Sequence, residues 1–209
     1  SAGIISQLTF DQTLTSAATT AWGVDWNEDL IARDICQNFY DANREQLDQI
    51  RIEHNPISGL VTIQAPAEFN LMRLFFLGSE KGDSDIGQYG EGFKVAVVCL
   101  LKQFQVKTMV LSGHQALTIR LDDKTVKDTA LTPLVYDYFT NSKAHTGTTL
   151  LLQQCPIDLA KALLDGMNHF YFAANPLLGE KIWSSYDDCM QVYHSTAASH
   201  GWIFYRNLR

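Results

Sequence analysis

The sequence predicts an α+β fold, a two-layer sandwich with helices covering one face of a mixed β-sheet. Three observations lead to it. Early and central stretches carry apolar residues at helical spacing, and several later stretches alternate as strands do. The order is helix, hairpin, helix, glycine-rich loop, helix and then a run of strands, which segregates helices from sheet. With 209 residues, 46% of them hydrophobic, the chain can bury a sizeable core.

After a short extended opening, Asp25-Trp26-Asn27-Glu28 reads as a capping box, because acidic side chains at a helix start favour the dipole. The helix is expected from about Trp26 to Glu45, with Ile31, Ile35, Asn38 and Ala42 on one stripe, so an amide interrupts an apolar face. Strands at Gln49–His54 and Leu60–Gln64 flank the turn Asn55-Pro56-Ile57-Ser58-Gly59 and predict a hairpin. Glu68–Leu77 predicts a short helix ending at Gly78, and Ser79–Ser84 a polar loop. A buried helix over Val95–Gln103 follows the glycine run. Strands are expected at Gln105–Leu111, Gln115–Leu121 and Thr148–Gln153, an amphipathic helix over Asp158–Phe172, then a helix at Tyr186–Tyr193 and a strand at Gly201–Tyr205. Residues 1–174 are read as one domain and 175–209 as an extension packed on it, the chain being expected to continue beyond Arg209.

Composition narrows the function classes. A formal charge of −7 argues against a broad nucleic-acid-binding face, so direct nucleic-acid contact is not expected. Cys36, Cys99, Cys155 and Cys189 lie too far apart for a CxxC pair and read as free thiols of a reducing compartment, cytoplasmic, or nuclear in a eukaryote. The longest apolar run, Val95–Leu101 between Lys94 and Lys102, is far too short for a bilayer core of ~30 Å, and no membrane association is expected.

Two groups of residues carry chemistry. Ile86-Gly87-Gln88-Tyr89-Gly90-Glu91-Gly92-Phe93-Lys94 leads directly into a helical pattern. Glycine lets backbone N–H groups close on a ligand, a helix start favours an anion, and Lys94 adds a positive charge, so the run reads as a phosphate cradle. On the first helix, Asp34, Asn38 and Asp41 fall at i, i+4 and i+7, within about 60° of one another. Such oxygen ligands suit Mg²⁺, which keeps several waters and shares substrate phosphates. A carboxylate one turn from the amide can deprotonate an attacking water.

Asp34-x-x-x-Asn38-x-x-Asp41-Ala42, followed about fifty residues later by the glycine run, resembles the GHKL ATPase superfamily, which includes gyrase, histidine kinases, the large heat-shock chaperones and the MORC proteins. The glycine run is most similar to the chaperone and MORC versions. A later Gly-Thr strand, Thr146-Gly147-Thr148-Thr149, matches a third element of that family. The resemblance spans roughly Asp25 to Gln154. It implies a Bergerat fold binding ATP and Mg²⁺, with Asp34 as general base, Asn38 as metal ligand, and Asp41 and Ala42 beside the nucleotide. Ile86, Gly87, Gln88, Tyr89, Gly90, Glu91, Gly92, Phe93 and Lys94 would form the phosphate lid, and Thr148 would reach the base.

The family's Asp-x-Gly-x-Gly, whose aspartate accepts the adenine amine, is replaced here by Ala65-Pro66-Ala67-Glu68-Phe69, and Asp34 stands where most members carry glutamate. Two functions therefore stand side by side. One is an ATP-binding module with slow Mg²⁺-dependent hydrolysis, switching conformation and dimerising with a second copy or docking on other domains of a longer chain. The other is a non-catalytic interaction module that has lost adenine binding.

Overall fold

The computed structural model describes residues 6–21, 25–72, 90–122, 132–196 and 201–205. They form an α+β protein built on one long strand. The strands are β1 (Leu8–Thr19), β2 (Arg51–Asn55), β3 (Leu60–Ala65), β4 (Lys107–Leu121), β5 (Pro133–Gln153), β6 (Leu178–Ser184), β7 (Met190–Ser195) and β8 (Gly201–Tyr205). The helices are α1 (Glu28–Ala42), α2 (Gly90–Gln103) and α3 (Ile157–Leu164), with 3-10 turns at Leu47–Gln49 and Gly166–His169.

β5 runs for 21 residues and organises the larger sheet. One edge pairs with β4 along its length; the other is divided, β1 taking Pro133 to Asn141 and β3 taking Thr148 to Leu152, with β2 outside β3. All ladders among the described residues are antiparallel, which corrects the expected mixed sheet. The reason lies in the connections: β2–β3 is a tight hairpin and no helix crosses between neighbouring strands in the parallel sense. Asn55 sets that hairpin, its Oδ1 accepting from the N–H of Ile57 (3.0 Å) and Ser58 (3.2 Å), while Gly59 adopts φ +68°.

Residues of α1, α2, α3 and one face of the sheet enter a single apolar cluster. Ile31, Ile35, Phe39, Val97, Leu100, Leu159 and Leu163 meet Val61, Ile63, Tyr136, Leu150 and Leu152 there. Val61, Ile63 and Ala65 alternate with the more exposed Thr62 and Gln64, the two-residue period of a strand with one covered face.

Several elements differ from their expected bounds. α1 is capped by Asn27, whose Oδ1 accepts from Leu30 N–H at 2.9 Å, so Asp25 is not the cap and the helix closes at Ala42. The expected strands Gln105–Leu111 and Gln115–Leu121 are one strand, β4, carried through a bulge at Gly113. The helix expected over Asp158–Phe172 stops at Leu164 and is followed by the 3-10 turn Gly166–His169, where Gly166 lies so close to Cys36 that a Cβ would overlap its Sγ. Tyr186–Tyr193 is a turn and a strand instead of a helix. Asp187 Oδ1 accepts from Ser185 Oγ at 2.7 Å and Cys189 N–H at 3.2 Å, reversing the chain between β6 and β7. Of the helix expected over Glu68–Leu77, Leu71 and Met72 are helical; 73–77, Gly78 and the loop Ser79–Ser84 lie outside the described residues.

β6, β7 and β8 make a second antiparallel sheet. Aromatic contacts join it to the main core: Tyr193 and Phe204 pack with Tyr171, whose neighbour Phe170 stacks on Tyr40 of α1 at 4.7 Å. The Tyr40 hydroxyl also donates to the Tyr171 carbonyl.

Asp137 ties three strands together. Its carboxylate accepts from Thr13 of β1 at 2.7 Å and from Arg120 of β4 at 2.8 Å. Burial alone would raise its pKa, but the bonds from Arg120 and Thr13 outweigh it and hold the carboxyl below the ordinary 3.8. A lowered pKa stabilises the fold above the unfolded value, and that contribution is lost as pH falls through the folded one. Asp137→Asn is expected to destabilise by about 1 kcal/mol at pH 7. Urea unfolding should show the gap from wild type shrinking as pH drops below 3.8.

Candidate functional site

α1 carries Asp34, Asn38 and Asp41 along one stripe beside its buried apolar face. Glu28 and Asp29 occupy its first turn, where the dipole favours them. Asn38 is buried at 7% exposure, and its amide nitrogen donates to the Asp34 carbonyl at 2.8 Å. Its Nδ2 therefore turns back onto its own helix.

The two motifs meet where α2 begins. A Cβ on Gly92 would lie 3.1 Å from Asp34 Oδ1, so the glycine leaves room for the carboxylate against the first turn of α2. Asp34 is mostly buried, its side chain 14% exposed. Burial raises its pKa above the ordinary carboxylate value, and Arg33, with Nη2 at 3.2 Å from Oδ2, offsets part of that rise. A carboxyl with a raised pKa beside a helix start suits a general base.

Phe93, expected in the phosphate lid, is 2% exposed and belongs to the core, and Lys94, expected to add a positive charge there, is 5% exposed. Helical periodicity from Gly90 onward turns both inward, since they precede the apolar Ala96 and Val97 by three residues. Gly90 and Glu91 begin the helix; Ile86, Gly87, Gln88 and Tyr89 lie outside the described residues.

At the other end of α1, Asp41 Oδ1 pairs with Arg44, whose Nη2 lies at 2.6 Å and Nε at 3.2 Å. The Arg44 guanidinium also covers the Tyr40 ring at 4.3 Å. The second oxygen, Asp41 Oδ2, is buried with no hydrogen-bond partner. Asp41, Ala42, Asn43, Arg44, Glu45 and Gln46 line one side of a cleft of about 260 Å³, and Pro66 and Ala67 line the other.

That second wall is fastened by residues that sequence reasoning passed over. Asn43 caps α1, its Nδ2 donating to the Phe39 carbonyl while its Oδ1 accepts from Ala67 N–H, each at 2.8 Å. Thr148, expected to touch a base, is fully buried and donates to the Ala67 carbonyl at 2.8 Å. It accepts from Phe69 N–H at 3.1 Å, and Ser112 Oγ lies 2.9 Å away. One donor and two acceptor positions are all a hydroxyl has, and these three contacts fill them. Gly147 makes the approach feasible: it holds φ +68°, and a Cβ there would overlap the Ala65 carbonyl. Asn directly after a helix was a readable cap signal; nothing in the sequence marks Ser112.

Phe69 packs against Phe39 with ring centroids 5.3 Å apart. His145 lies in β5 and its Nε2 meets Thr149 Oγ1 at 2.6 Å, while burial lowers its pKa. Among the described residues no group of three or more His, Cys, Asp and Glu is placed to hold a metal unaided, and no helix is long and apolar enough to cross a membrane. Mg²⁺ asks for less, because it retains waters and phosphate oxygens around one or two protein oxygens. Asp34 and Asn38, one turn apart on α1, would be the residues to hold it.

No protein-family model matches this sequence. No curated protein matches it either.

Proposed function

We propose that this chain is a nucleotide-binding module of the GHKL type, taking ATP with Mg²⁺ and hydrolysing it slowly. One observation carries the reading: Asp34 of the helix motif lies against Gly92 of the glycine motif, so two signatures far apart in sequence converge on one carboxylate. In this reading the terminal phosphate sits at the start of α2, where backbone N–H groups and the helix dipole favour an anion. Asp34 removes a proton from the attacking water. Asn38 contributes its amide oxygen to Mg²⁺, which would neutralise phosphate charge when bound. Thr148 acts indirectly, holding Ala67 and Phe69 in place as a wall. Binding at the junction of α1 and α2 would couple occupancy to the glycine run that leads into α2, the basis of a conformational and dimerisation switch.

The test is calorimetric titration of the full chain with ATP, ADP and GTP in Mg²⁺, accompanied by thermal unfolding. Saturable Mg²⁺-dependent ATP binding with a rise in Tm is expected. Absence of heat and of any Tm shift at millimolar ATP would reject the reading.

A second reading has its own support. The Thr148 hydroxyl is engaged by Ala67 and Phe69, and Phe69 packs on Phe39, so the residues that a GHKL reading would set beside adenine already have partners within the chain. A non-catalytic interaction module fits this, and the same titration separates the two, since bound nucleotide excludes it.

A further inference from the structure

We propose that the uncovered face of the β6–β7–β8 sheet is where a second copy of this chain docks, face against face about a two-fold axis. The sheet has one covered side. Gln191, Tyr193 and Phe204 are buried, the two aromatics against Tyr171, so the two-residue period of a strand turns Met190, Val192 and Ile203 to the opposite side. On that side Trp183, Val192 and Ile203 pair in one row across all three strands. Ile182 joins them at an irregularity of β6, its Cδ1 3.9 Å from where a Cβ on Gly201 would lie. The patch is open to solvent: Trp183 is 51% exposed, Ile182 53%, Ile203 58% and Met190 38%. Of the nine large apolar side chains exposed among the described residues, these four and Tyr186 belong to this one sheet and its first turn. Singly such residues need no explanation, but grouped they mark a contact surface.

Composition and area select the occupant. A two-fold contact sets the same patch of each copy against the other, so the patch must complement itself. None of Ile182, Trp183, Met190, Val192 and Ile203 is charged, and two such faces meet that condition despite the chain's net charge of −7. A lipid surface fits less well. Glu180, Asp187 and Asp188 border the patch and would be repelled by anionic headgroups, while Lys181 turns to the covered side, its Nζ over the Tyr193 ring. Pairing through the β6 edge is also the poorer route, because two register shifts break that strand. The four exposed side chains offer on the order of 400 Å² per copy, so a contact centred on them buries about 1,000 Å² in total once its rim is included. That is the low end for a specific interface. A weak dimer follows, with a Kd of roughly 10–100 μM and Trp183 as its anchor.

The experiment is sedimentation equilibrium of the full chain without nucleotide, up to about 300 μM, beside Trp183→Glu and Ile203→Glu. Wild type is expected to dimerise reversibly, and each variant to weaken the dimer by ~10-fold or more, since a glutamate then meets its own copy across the axis. Because the contact is apolar, raising the salt to about 0.5 M should leave the wild-type dimer intact or tighter. Both side chains are half exposed, so Tm of either variant should stay within ~2 °C of wild type. Should a glutamate unfold the sheet, Trp183→Ser and Ile203→Thr serve in its place, with a loss of ~3-fold or more expected. A wild type that stays monomeric throughout the range overturns the proposal without any variant, as does a dimer whose strength survives substitution at both positions. The proposal does not rest on the nucleotide reading, and neither result bears on ATP.

Discussion

Replacing Gly147 with alanine is expected to destabilise the protein by about 3 kcal/mol or more. Two independent penalties add. The backbone at 147 lies in the left-handed region, φ +68°, where a residue with a Cβ is strained by ~1 kcal/mol or more. The added methyl would also overlap the Ala65 carbonyl, and relieving an overlap of that kind typically costs a further ~1–3 kcal/mol. Relief requires β3 and β5 to part where Ala65 pairs with Thr148, which also draws Thr148 away from Ala67 and Phe69. Thermal unfolding should show Tm lowered by roughly 6–12 °C for a chain of this size. A shift under 2 °C would mean that the close approach is not maintained in solution.

Asp34→Asn is expected to separate activity from stability. Under the proposed function, loss of the general base lowers ATP turnover by ~100-fold or more. Stability should move the other way. The folded pKa of Asp34 is raised by burial, so its contribution to stability is greatest when protonated, below the ordinary 3.8, and is lost as pH rises through the raised value. At pH 7 the wild type holds a charged carboxylate in a site that favours the neutral acid, and the asparagine does not. Asp34→Asn should therefore melt higher than wild type at pH 7, with the difference vanishing near pH 3. A lower melting temperature at neutral pH would show that the Arg33 pair dominates the site.

α1 and the β2–β3 hairpin were readable because their signals are local: a helical period behind Asp25-Trp26-Asn27-Glu28, though the cap is Asn27 and not Asp25, and Asn55 and Gly59 bracketing two alternating runs. β5 was half-read. Thr148 to Gln153 carries the apolar run Leu150–Leu152 behind two β-branched threonines, whereas Asp137, Asn141, Ser142 and Lys143 break the pattern earlier along β5. Those polar residues are accommodated by partners distant in sequence: Thr13 and Arg120 for Asp137, and Gln7, whose carbonyl accepts from Ser142 N–H at 3.0 Å. At the site, the spacing of Asp34, Asn38 and Asp41 predicted a shared stripe, because helix geometry alone produces it. Spacing carried no information on occupancy. Thr148 shows the limit: Gly-Thr suggested a contact with a base, whereas its hydroxyl bonds to the chain itself, as only the positions of Ala67, Phe69 and Ser112 reveal.

The division of one β5 edge between β1 and β3 has a bearing on how the chain assembles. Thr13 and Asp137 are 124 residues apart, so β1 emerges early in synthesis and waits for a partner that emerges far later. Until then it is a 12-residue strand with both edges open. β3 waits in the same way, although β2 already covers one of its sides. Closure over such separations is entropically expensive and slow, and the sheet is completed only when β5 enters between strands already made. The long strand is thus the last common requirement of the sheet, and its arrival sets the pace at which the helix face and the cleft beside it acquire their final shape.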